Sequence, residues 1–237
     1  MNAASVRFVV AVVVLATLPM VAMAQEAPEE EAGSAWSWSL SATTDYRFRG
    51  LSQTGVDPAF QAGLTYSAPF GLYVGTWASN VDFGEGDPDY EVDAFIGYNA
   101  DLTDWANLDV MINRYNYPGA GALNYNELLT KVTFLENYSL LVGYTDNVFN
   151  SDTDGWYYQA AASYPLPRDF SVGASVGKSE FEDGTVGRDY MDWSVSIGKS
   201  FGPLTLTAAY IGTDGDGRDA YGEIADDKVV ISATVAN

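Results

Sequence analysis

Residues 36–54, WSWSLSATTDYRFRGLSQT, set two unlike faces against each other. Trp36, Trp38, Leu40, Ala42, Thr44, Tyr46 and Phe48 share one parity, and Ser37, Ser39, Ser41, Thr43, Asp45, Arg47 and Arg49 share the other. Side chains in a strand alternate between two faces, so the stretch predicts a strand with an apolar, aromatic-ended face and a polar, charged one. A soluble sandwich buries the apolar face and wets the other. A transmembrane barrel turns the apolar face to lipid and the polar face to its lumen.

The same alternation recurs along the chain, each run bounded by turn residues. Outward parity takes Phe60 to Tyr66, Leu72 to Ala78, Tyr90 to Tyr98, Leu108 to Ile112, Leu128 to Phe134 and Tyr138 to Tyr144. It continues through Trp156 to Tyr164, Phe170 to Val176, Trp193 to Ile197, Leu204 to Tyr210 and Val229 to Val235. The expected count is twelve strands, with an error of one hairpin. Arg114 breaks the alternation, and a rim position or a β-bulge both account for it.

Connector lengths separate by parity. Those after even strands are short (68–70, 100–105, 135–137, 165–169 and 200–203), and those after odd strands are mostly longer (80–89, 116–124, 146–155, 179–189 and 213–226). A soluble sandwich has no reason to do this, whereas outer-membrane barrels combine short periplasmic turns, long external loops and an even strand count. Trp36, Trp38, Tyr66, Tyr90, Tyr98, Tyr138, Tyr144, Trp156, Tyr164 and Tyr210 lie near strand ends on the outward parity, as aromatic girdles require. The fold class expected is an all-β transmembrane antiparallel up-and-down barrel of about twelve strands, with both termini in the periplasm.

Composition narrows the function. The 237 residues hold 11 Lys and Arg against 32 Asp and Glu, a formal charge of -21, with no His and no Cys. An acidic surface argues against nucleic acid as a partner. Without His or Cys there is no Ser-His-Asp triad, His-ligated metal or thiolate chemistry. Arg7, the apolar run of residues 8–18 and Ala22-Met23-Ala24 predict a secretory signal peptide, residues 1–24. Residues 25–35 follow as an acidic flexible tether, and 36–237 as the barrel, placing the protein in the bacterial outer membrane.

The chain resembles the TorF-type family of outer-membrane porins through Tyr46-Arg47-Phe48-Arg49-Gly50-Leu51-Ser52-Gln53-Thr54 and Trp77-Ala78-Ser79-Asn80-Val81. Glu91-Val92-Asp93 with Gly97-Tyr98, Tyr115-Asn116-Tyr117-Pro118-Gly119 and Asn124-Tyr125-Asn126-Glu127 extend the likeness, which is only pattern-like after Glu127. The resemblance implies a signal peptide, a barrel and a porin. It does not imply a solute. One departure is that outer-membrane barrels usually finish on Phe or Trp, while this chain finishes Thr234-Val235-Ala236-Asn237.

Asp45, Arg47, Arg49, Glu91, Asp93 and Glu127 share the inward parity of the first six strands and are the expected pore-lining residues. Arginines facing carboxylates form a constriction that selects by size and charge. The competing reading is a salt-bridge network that holds register in a filled barrel. The long loops carry many carboxylates, but 214–219 fails the EF-hand template, so solvated acidic loops are expected and no metal site. The expected function is passive diffusion of small hydrophilic solutes, with a cation preference and no cofactor. A non-conducting structural or receptor-like barrel is the alternative, and a His-independent enzyme ranks below both. Expected partners are outer-membrane lipid and small hydrophilic solutes, with self-association into a homo-oligomer left open.

Overall fold

The computed structural model describes residues 35–84, 88–184 and 186–237. The expected signal peptide, and all but the last residue of the tether, lie outside the described residues. In chain order the strands are β1 (Trp36–Thr43), a short pair β2 (Arg47–Phe48) and β3 (Leu51–Ser52), β4 (Ala59–Ser67), β5 (Leu72–Asn80), β6 (Tyr90–Thr103) and β7 (Ala106–Asn116). There follow β8 (Tyr125–Phe134), β9 (Tyr138–Thr145), β10 (Gly155–Leu166), β11 (Phe170–Phe181), β12 (Tyr190–Phe201), β13 (Leu204–Thr213) and β14 (Lys228–Ala236). β2 and β3 pair only with each other; each of the other strands pairs with the next of them in the chain, and β14 returns to β1, closing an antiparallel barrel of twelve strands. Every expected wall strand is present. Among the described residues no helix is long and apolar enough to cross a membrane.

Closure is antiparallel on both sides of β1. Its register runs from Trp36↔Tyr66 to Thr43↔Ala59 against β4, and from Ser39↔Ala236 to Thr43↔Ser232 against β14. Beyond the last rung, Asn237 continues the seam: the Trp38 N–H donates to its Oδ1 at 2.7 Å, and its Nδ2 donates to the Trp36 carbonyl at 3.2 Å. Closure is made without a terminal aromatic.

Alternation sorts the two faces as expected. Phe60 and Val229 leave 74% and 65% of their surface outside the barrel, a cost in water and a gain in hydrocarbon. Aromatics ring both ends: Trp36 against Tyr66 (5.1 Å between centroids) and Tyr138 against Tyr164 (5.9 Å) at the turn end, Tyr144 against Trp156 (4.4 Å) and Trp193 against Tyr210 (4.9 Å) at the loop end. Arg114 takes the rim position, its guanidinium donating to Asn116 and Asn126, with no bulge in its part of β7. A register shift lies between Asp101 and Thr103, where β6 runs on into the expected turn.

One expected element is corrected. The first strand does not continue to Phe48: it ends at Thr43, and residues 45–54 fold into the barrel. Tyr46 and Phe48 therefore do not face lipid. Tyr46 is buried against Trp77 at 5.3 Å, and Phe48 packs edge-on to Tyr115 at 6.0 Å. The physical reason lies in local bonds and turn chemistry. Thr43 Oγ1 donates to the Asp45 carbonyl at 3.0 Å, and Thr44 ties to Ile231 through both its backbone and its hydroxyl. Arg49 and Gly50 at φ 49 and 83 then supply the positive φ values that a tight hairpin needs.

Candidate functional site

The infolded segment is the centre of the lumen. β2 and β3 pair through Arg47↔Ser52 and Phe48↔Leu51. Gly50 sits at the tip, where a Cβ would lie 2.7 Å from Thr213 Cγ2 and 2.8 Å from Asp192 Cβ. The tip thus presses on β12 and β13, and only glycine fits there at positive φ. Asp45 holds the hairpin from its base. Its carboxylate accepts from Arg47 Nε at 2.6 Å, Ser52 Oγ at 2.6 Å and Thr54 Oγ1 at 3.3 Å. Arg47 Nη1 also donates to the carbonyls of Gly50, Ile224 and Asp226 at 2.9, 2.9 and 3.0 Å. One guanidinium therefore joins the hairpin to the segment between β13 and β14.

Arg49 makes the second clamp. Its Nη2 lies 2.6 Å from Glu127 Oε1 on β8, and Tyr115 on β7 donates to Glu127 Oε2 at 2.8 Å. The guanidinium also stacks over Phe48 (4.6 Å) and over Tyr157 of β10 (4.2 Å). Burial works against its charge, but Glu127, Tyr115 and Tyr125 more than offset that, so its pKa lies above the ordinary arginine value. Room for the clamp comes from Gly143 on β9, where a Cβ would sit 2.9 Å from Glu127 Oε1 and 3.2 Å from Arg49 Nη2. The segment starts at β1 and reaches β8, β10, β12 and β13, so it crosses the barrel.

The six expected residues all face the interior, from two different origins. Glu91 and Asp93 on β6 and Glu127 on β8 project from the wall as expected. Asp45, Arg47 and Arg49 are not on a wall strand; they come from the infolded segment, because the chain has left β1 before reaching them. Asp93 accepts from Asn113 Nδ2 at 2.9 Å, and its other oxygen has no partner. Glu91 takes one long bond, from the Tyr46 hydroxyl at 3.5 Å.

Two inward carboxylates stand outside that set. Asp109 on β7 accepts from Tyr73 at 2.9 Å and Asn99 at 3.2 Å, and Asp192 on β12 accepts from Tyr157 at 3.2 Å. Both carry the parity signal that marks Glu91 and Glu127. The bonding tyrosines are the less legible part, since an inward Tyr reads as lumen lining until its partner is known.

Below the hairpin, Tyr73, Met111, Leu129, Leu141 and Tyr157 pack together with Phe95. Inward glycines make this possible. Tyr73 lies across Gly97, where a Cβ would come within 2.2 Å of its ring, and Phe95 covers Gly75 in the same way at 2.4 Å. These positions are the floors on which rings lie. Among the described residues no group of three or more His, Cys, Asp or Glu is arranged to hold a metal ion. The site offers charge, hydrogen-bond partners and a crowded cross-section.

A family model described as "Bacterial protein of unknown function (Gcw_chp)" matches residues 27–236. No curated protein matches the chain. Among solved structures the barrel is similar to the NanC porin, with a TM-score of 0.54 at 10% identity over 84% of this chain and 97% of that one. It is similar to the KdgM porin at a TM-score of 0.52 and 7% identity, over 84% and 97% of the two chains. A KdgM structure in complex with disordered oligogalacturonate gives 0.53 and 7%, over 84% and 96%. At such identities the likeness shows the fold, a closed barrel of the outer-membrane porin type. The resemblance read from the sequence agrees at that level, and the TorF name is not confirmed.

Proposed function

The chain belongs to the Gcw_chp family, and we propose that it is an outer-membrane porin through which small hydrophilic solutes diffuse passively. One observation carries this reading: a hairpin folded into a lipid-faced barrel and held there by Arg47 on Asp45 and Arg49 on Glu127. Arginines set against carboxylates at a narrow point select by size and charge. Asp45, Arg47, Arg49, Glu91, Asp93 and Glu127 are the proposed pore lining, with Asp109 and Asp192 added. Passage needs no covalent step and no cofactor. The lack of His and Cys supports a non-enzymatic role. The excess of carboxylates supports a preference for cations. We take residues 1–24 as the cleaved signal peptide, 25–35 as the tether and outer-membrane lipid as the standing partner.

A second reading has its own support. Tyr73, Met111 and Tyr157 are at most 2% exposed, and water-filled pores leave their lining wet, so the packed layer favours a structural, non-conducting barrel. Planar-bilayer recordings separate the two. Purified wild-type protein is expected to give unitary current steps under voltage, and Arg49→Ala larger ones. If neither shows steps, the structural reading stands and the porin reading falls.

A further inference from the structure

Between the hairpin and the loop end lies a cavity that the clamps do not use. Phe48, Gln53, Tyr115, Tyr117, Tyr125 and Phe149 surround it, and Glu91 lines it, with room of about 10 Å³ for an occupant's centre. That is space for one group the size of a water molecule. Gln53 apart, its walls are aromatic faces and edges: Tyr115 and Tyr125 stack at 4.5 Å, and Phe149 meets Tyr125 edge-on at 5.2 Å. Phe149 is 38% exposed, so the cavity borders the outside at this wall.

The carboxylate in this cavity lacks a cation. Glu91 is 2% exposed, yet among the described residues no Lys or Arg pairs with it, and its one hydrogen bond is the long one from Tyr46. Neighbouring Asp93 has an oxygen without any partner. Arg49, the nearby positive charge, is committed to Glu127. A buried carboxylate without a paired cation is costly, and the aromatic faces around it attract positive charge. Arg49 already uses Phe48 in that way, at 4.6 Å.

We propose that this cavity binds the ammonium head of a small organic cation, with the head on Glu91 and its flank against Tyr115, Tyr125 and Phe149. A divalent metal would need several oxygen ligands, and no such group is present among the described residues. A sugar would need several hydroxyl partners and more room. An ammonium head needs one carboxylate and aromatic walls, and it matches a water in size.

Methylammonium chloride titrated into the detergent-solubilised protein at constant ionic strength tests this, read by near-ultraviolet circular dichroism of the tyrosines. Wild type is expected to give a saturable change that sodium and glucose do not reproduce. Glu91→Gln should weaken binding by about tenfold or more, and Phe149→Ala by about tenfold, the worth of a well-placed cation–π contact. Glu136→Gln, on the exposed turn between β8 and β9, should bind as wild type does. No saturable change in wild type, an identical curve with sodium, or Glu91→Gln binding as tightly as wild type overturns the proposal. Should Glu91→Gln not fold, unchanged affinity in Phe149→Ala overturns it instead. No current is measured, so the outcome stands apart from whether the barrel conducts.

Discussion

Arg49 brings a full charge into the barrel interior, where its partner Glu127 is only 1% exposed. The two partners differ in what they can do when separated. Glu127 is fixed to β8, so Arg49→Met leaves a carboxylate stranded in the wall with one tyrosine hydroxyl, at a cost of about 3–5 kcal/mol. Arg49 sits on a loop, so in Glu127→Leu the guanidinium can follow its hairpin out to water, and the loss should be smaller. Urea unfolding in lipid vesicles, followed by tryptophan fluorescence, measures both. Equal losses would show that the hairpin cannot leave, and that the pair is a staple rather than a latch. At this scale parity was enough to turn Glu91, Asp93 and Glu127 inward. It turns Asp109 and Asp192 inward as well, but could not name their partners, because Tyr73 and Tyr157 reach them from two strands away and not along the strand.

Elements were the most legible level, and their one failure is instructive. Each wall strand follows from a period of two, and each hairpin from turn residues at one end and long polar connectors at the other. The segment 44–54 keeps the same period yet is no wall strand. Alternation describes a two-faced ribbon, and the infolded hairpin is also two-faced, with Phe48 against Tyr115 on one side and Arg47 on Asp45 on the other. The wall does not depend on it: β1 and β4 are already joined at Thr43↔Ala59, so a short linker can replace residues 46–54. That variant should still form a heat-modifiable barrel on a gel, with single-channel conductance raised several-fold. Loss of the barrel would make the hairpin part of the folding core, and unchanged conductance would free it from any role at the constriction.

At the scale of the molecule the excess of acid is the dominant field. With 32 acidic against 11 basic side chains, the loop end should concentrate cations near the mouth. In a potassium chloride gradient the reversal potential is therefore expected to favour potassium. The preference should shrink as salt rises from 0.1 M, where charges are felt over about 10 Å, to 1 M, where they are felt over about 3 Å. Anion selectivity, or a preference indifferent to salt, would remove the loops from the account.

By itself the sequence determined the barrel, its twelve strands, the face that meets lipid and the end that carries the loops. Each is a local property, written in the spacing of apolar residues and the length of connectors. Only the tertiary structure decided that 45–54 turns inward, that glycines on one strand are floors for rings on the next, and that Glu91 faces a largely aromatic cavity without a cation. These depend on which side chains meet across the lumen. That is set by the closure of β14 on β1, and no single strand encodes it.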